Sequence, residues 1–199
     1  MLNYFRLYIE WFIFIAIIIF GVYTMYIIKN EKKKYLTEAN VVNFKNFKLL
    51  IPKWWGEFDD GDKNENKICF KRLDTRYEWE AKFIWSPTPS EKDIIELFKE
   101  HIADRKILFD EDTSVIYNPS DFQNNTLIKD GLFEMVRLEG TATLDRQERL
   151  YYDAFLIKNL STKEFLYAQS KSSVLNGLVE GPYFEEVMNR IEYIKNSTN

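Results

Sequence analysis

The chain has 199 residues, of which 27 are basic, 31 acidic and 17% aromatic, with one histidine and one cysteine. A net charge of −4 without a basic stripe argues against a nucleic-acid binder, because phosphate neutralisation supplies most of that affinity. One cysteine excludes an intramolecular disulfide, and abundant aromatics with only seven glycines exclude a disordered tail.

Residues 11–28 carry no charge. As a helix they reach about 27 Å, close to the ~30 Å hydrocarbon core of a bilayer. A cleaved signal peptide has a shorter apolar core and a small-residue cleavage site, and none is present here. A buried core helix would be apolar on one stripe, whereas this run is apolar on every face. The expected layout is a short tail over residues 1–10, a transmembrane helix over 11–28, a basic juxtamembrane linker over 29–43 and a globular domain over 44–199. Glu10, Trp11 and Tyr26 are the membrane-interface candidates, with Lys29, Lys32, Lys33 and Lys34 on the far side of the span. The lysine cluster leans the soluble part toward the cytoplasm. The alternative is a periplasmic or otherwise extracytoplasmic domain, because single N-terminal anchors more often deliver the adjoining domain outward.

The soluble part, residues 35–199, holds 22 basic and 29 acidic residues, a net −7. Residues 44–51 read as a first strand, stopped by Pro52. Trp54 and Trp55 come next. Neighbours on a strand face opposite sides, so one of the pair is expected at the surface, where tryptophan is enriched in binding hot spots. Asp60, Asp62 and Asn64 alternate like the start of a calcium loop. Glu65 stands where glycine is needed and Lys71 where a bidentate glutamate is needed, so a solvated turn is the expectation. Residues 68–72 form a second strand, with Cys69 as a small buried hydrophobe. Tyr77, Trp79, Ala81, Phe83 and Trp85 alternate with polar residues, the pattern of a half-buried strand.

Thr88, Pro89 and Glu91 read as a capping box with proline at the first helical position. The helix beyond it carries Ile94, Leu97, Phe98 and Ile102 on one face and ends near Arg105. His101 lies near the edge of that face and has no partners for a zinc site. Residues 114–117, 132–143, 149–158 and 165–170 read as strands, with a turn at Asp145, Arg146 and Gln147. A last helix is expected from Pro182 to Lys195, with Phe184, Val187, Met188, Ile191 and Ile194 inward. Asn-x-Ser/Thr sequons at Asn124, Asn159 and Asn196 arise readily by chance in a chain this rich in asparagine.

Strands in hairpins followed by helices imply an α+β domain: an antiparallel sheet packed with two amphipathic helices behind the transmembrane helix. A first strand ending in Pro52 shortly before Trp54, a proline-capped helix after three strands, a long meander and a terminal helix together resemble the PsbP-like fold and the DcrB-type bacterial envelope proteins. That resemblance covers residues 44–195 and rests on element order. It implies a non-enzymatic binding or assembly factor, and no functional residue carries across. The retained anchor, in place of a lipidated cysteine, departs from the DcrB-type pattern.

No nucleophile–base set, phosphate loop or cofactor motif stands in the sequence, and no cofactor is expected. The expected function is a single-pass membrane-anchored binding domain that recruits a protein partner, another membrane or envelope protein, with Trp54 and Trp55 as the contact. The alternative is a membrane-tethered small-ligand or lipid-binding domain. Its pocket would lie between sheet and helix, bordered by Trp79, Phe83 and Phe155.

Overall fold

A computed structural model describes residues 2–62, 64–73, 78–145 and 147–194. The expectations for Tyr77, Arg146, Lys195 and Asn196 lie outside them. The chain divides into two units, Met1–Ala39 and Asn40–Asn199. The first is one helix, α1 (Leu2–Glu38), of 37 residues. It is long and apolar enough to cross a membrane, as the uncharged run implies. It also extends beyond the expected span at both ends: residues 29–38 continue as helix, because Lys, Glu and Leu are good helix formers.

In the second unit every strand pairing is antiparallel, as expected for strands joined by short connections. The single strand expected over residues 44–51 is a hairpin instead. β1 (Asn40–Phe44) and β2 (Phe47–Ile51) pair through Phe44 and Phe47, and Lys45 takes φ 55° in the two-residue turn. The short β11 (Glu192–Tyr193) adds to β2 through Lys48, whose Nζ donates to Glu192 at 2.8 Å. Phe47 packs its ring on Trp85, Phe133 and Tyr193, joining this small sheet to the larger one.

The larger sheet runs β3 (Trp55–Glu57), β4 (Lys67–Arg72), β5 (Trp79–Ser86), β10 (Phe165–Ser172), β9 (Glu148–Asn159), β8 (Phe133–Leu144) and β6 (Ile107–Phe109). The short β7 (Val115–Tyr117) pairs with β8. β3, β6 and β11 are not expected from the sequence, because two or three residues are too few to show a period. β5 alternates buried and half-buried residues as its pattern demands. β9 is buried at nearly every position from Leu150 on, so both faces of the sheet centre are covered.

One face carries α2 (Ile94–Asp104), whose Ile94, Leu97 and Phe98 meet Tyr152, Ala154, Leu156 and Tyr167. Its cap is not Thr88. Asp93 accepts from the Ile95 N–H at 2.8 Å, so the helix opens five residues later than a Thr88 cap implies. The other face carries α3 (Val174–Asn189), where Phe184 meets Phe83 and Phe155 at ring distances of 6.0 and 5.7 Å. The expected helix from Pro182 to Lys195 is corrected on both counts: Pro182 lies inside α3, and the helix stops at Asn189. Ile194 is outside it and exposed, whereas Phe184, Val187, Met188 and Ile191 are fully buried.

Candidate functional site

The helix α3 departs from the rule that a surface helix turns its apolar stripe inward. In its first half the inward positions are Asn176, Gly177, Glu180 and Gly181, all buried. The outward positions are Leu175, Leu178 and Val179, which are 77%, 63% and 55% exposed. The expected amphipathic helix is therefore found only in its second half. Pro182 is exposed beside them and completes an i, i+3, i+4, i+7 stripe.

Three contacts turn the helix this way. A Cβ at Gly177 would stand 2.3 Å from Cγ of Tyr151 and one at Gly181 would stand 3.4 Å from its Cε1, so the missing side chains let the helix lie on that ring. Glu180, 1% exposed, accepts from the indole N–H of Trp55 at 2.8 Å and of Trp54 at 3.2 Å, and pairs with Arg72. Glu185 faces Arg137 at 3.4 Å.

Arg137 is itself buried. It grips Asp153 with two bonds of 3.0 and 2.9 Å and Glu139 with one of 2.7 Å, and it lies over the rings of Phe155 and Tyr117. Tyr117 and Tyr151 both donate to Glu139 at 2.8 Å. Burial pushes the Asp153 carboxyl up to about 7, although Arg137 pulls it down. This network ties α3, β7, β8 and β9 into one block, so the outward stripe sits on a rigid support.

Trp54 and Trp55 are placed by the same helix. Trp55 is 3% exposed and stacks on Trp79 with ring centroids 4.1 Å apart. Trp54 is half-buried, with its ring edge-on to Tyr183 at 5.0 Å. Tyr183 lies four residues beyond Val179, so Trp54 borders the outward stripe. Sequence reasoning missed Leu175, Leu178 and Val179. The signal was present as a 3.6-residue period running outward, but starting the helix at Pro182 hid it.

On α1, the interface candidates Glu10, Trp11, Tyr26, Lys29, Lys32, Lys33 and Lys34 are all exposed. The calcium-like run is occupied by lysine. Lys67 Nζ reaches Asp60 at 2.6 Å and Asp62 at 2.8 Å, and Lys82 Nζ reaches Asp60 at 3.0 Å. The hydrogen bond from Lys67 holds the Asp60 carboxyl well below the usual carboxylate range. Among the described residues no group of three His, Cys, Asp or Glu side chains is arranged to hold a metal ion.

Cys69 is buried, and that burial pushes its thiol up to about 11, away from thiolate chemistry. His101 stacks on Tyr167 at 5.3 Å, and its pKa is lowered by burial and by Arg105. An open cleft of about 580 Å³ lies where Lys71, Trp79, Glu80 and Lys171 meet. Of the three residues expected to border a pocket only Trp79 lines it, since Phe83 and Phe155 are packed against Phe184. Two of the cleft's charges pair with one another, Lys171 Nζ lying 3.3 Å from Glu80.

The fold is PsbP-like. The chain is similar to the solution structure of cyanobacterial PsbP from Synechocystis sp. PCC 6803 at 10% identity and a TM-score of 0.50, over 78% of this chain and 91% of that one. It is also similar to the crystal structure of a Pseudomonas aeruginosa protein of unknown function at 10% identity and a TM-score of 0.43, over 76% of this chain and 94% of that one. No protein-family model matches the chain, and neither does any curated protein.

Proposed function

We propose that this chain is a single-pass membrane protein whose α+β domain is a non-enzymatic binding module, recruiting a protein partner at the membrane through the outward face of α3. The observation that carries the reading is the inversion of α3: Leu175, Leu178 and Val179 in solvent, Glu180 and two glycines inside. Three large aliphatic side chains in one stripe are the composition of a contact surface, and exposing them costs free energy that a partner restores. Trp54 borders the stripe and supplies the kind of side chain that anchors such contacts.

The membrane half of the proposal rests on α1. Its apolar side chains from Trp11 to Ile27 are exposed almost throughout, which water penalises and hydrocarbon does not. Lys29, Lys32, Lys33 and Lys34 orient the domain to the cytoplasmic side by their positive charge. The non-enzymatic reading rests on how the buried titratable side chains are employed. Arg137, Asp153 and Glu180 are each engaged in pairs that hold one element on another.

A photo-cross-linking residue placed at Leu178 in the full chain in membranes tests this, with Lys129, exposed on the loop whose Asn125 bonds Asn189 at the opposite end of α3, as the control. Adducts at 178 and none at 129 are expected. Equal labelling at both positions, or none at 178, would sink the proposal.

A further inference from the structure

The kind of partner can be read from the charge of the same stripe, an inference that rests on the docking reading of α3. Between residues 174 and 184 the helix has a single charged side chain, Glu180, and that one is turned inward onto Arg72, Trp54 and Trp55. The outward stripe is therefore uncharged over three turns. The domain around it is acidic, with 22 basic and 28 acidic residues in positions 40–199. Complementary charge is one means by which a foreign partner of such a domain is selected, and this stripe presents no charge to select with.

Two copies of one acidic domain face the opposite requirement. A two-fold axis sets the same patch of both copies face to face, so a carboxylate near the axis would meet its own copy. The α3 stripe satisfies that condition, because its exposed members are Leu175, Leu178, Val179 and Pro182. Their i, i+3, i+4 spacing makes the ridge that packs into the groove of a second helix. We infer that the occupant of the α3 face is a second copy of this chain.

Size sets the strength of the contact. The stripe offers on the order of 400 Å² of apolar surface, about half of the ~800 Å² per partner that a stable soluble interface buries. The pair is accordingly weak when the protein is dilute and forms where α1 confines copies to one plane at high effective concentration.

The experiment uses the full chain in membranes, co-expressed with two different tags, with Leu178→Cys and Lys129→Cys as separate variants and Leu178→Asp as a third. Cys69 stays in place because it is buried. A short bismaleimide is expected to give a species of twice the chain mass with Leu178→Cys and not with Lys129→Cys. Leu178→Asp is expected to lower co-purification of the two tags at least tenfold. Cross-linking at 178 to a product of another mass, with no co-purification of the tags, overturns the second copy but leaves the docking face. No bismaleimide adduct at 178 overturns the second copy, and photo-cross-linking from the same position, which needs no cysteine on the partner, then decides the docking face. Co-purification unaffected by Leu178→Asp, or equal cross-linking at 129, also overturns the inference.

Discussion

At Gly177 the backbone of α3 meets the ring of Tyr151 so closely that a single methyl group would stand 2.3 Å from Cγ. Gly181, one turn on, leaves 3.4 Å. Two effects compete at both positions: alanine favours a helix interior by about 1 kcal/mol, while overpacking costs about 1–3 kcal/mol. The clash wins at 177, where ring atoms fixed by Glu139 cannot retreat, and propensity offsets much of the contact at 181. Gly177→Ala is therefore expected to destabilise by up to about 2 kcal/mol net and Gly181→Ala to lie within about 1 kcal/mol of neutral. Urea unfolding of the two variants checks this, and equal losses would mean that the helix slides on the sheet. Neither glycine could be assigned from sequence, because its reason is a ring 26 or 30 positions away in the chain.

At the scale of the element, α2 shows how local rules compete. Thr88, Pro89 and Glu91 satisfy the capping-box pattern, yet the chain stays non-helical until Asp93. The segment is held away from helix by longer-range bonds: the Ser90 N–H donates to the Lys163 carbonyl at 3.0 Å, and the Lys158 ammonium donates to the Lys92 carbonyl. Those partners lie on or beside β9 and β10, out of reach of any local window. Asp93→Ala is expected to cost about 1 kcal/mol, and Thr88→Ala less than about 0.5 kcal/mol, measured as shifts in thermal unfolding. A larger loss at Thr88 would restore the cap at that residue. The helix face itself was legible, because Ile94, Leu97 and Phe98 share one stripe whichever residue begins the turn. For α3 the same rule misled, because the inward half is glycine and charge.

Across the whole domain, the Arg137 network joins three strands to α3 and places one fully buried carboxyl, Asp153, among like charges on Glu139 and Glu185. Asp153 has its pKa pushed up to about 7 by burial, above the ordinary 3.8 of the unfolded chain. Between those values the folded state holds a proton that the unfolded state has released. The contribution to stability is thus complete below about pH 4 and is lost as pH rises toward 7, by at most about 1.4 kcal/mol per pH unit. Urea unfolding between pH 4 and 8 is expected to show this fall relative to Asp153→Asn, whose side chain does not titrate. Parallel curves for the two proteins would place the ionised carboxylate in the fold at every pH.

Sequence alone determined the apolar N-terminal helix, the antiparallel α+β class and most long strands, because each is written in a period or a run that neighbouring residues share. It also sufficed for the PsbP-like resemblance by element order over residues 44–195, although β3, β6, β11 and the start of α3 were not legible. Only the tertiary structure decided the direction of α3, the burial of Trp55 and the gathering of Arg137, Asp153, Glu139 and Glu185. Those outcomes depend on groups distant in the chain, such as Glu180 meeting Trp54, Trp55 and Arg72. The free energy of a buried charge is set by which partners reach it, and reach is a property of the fold.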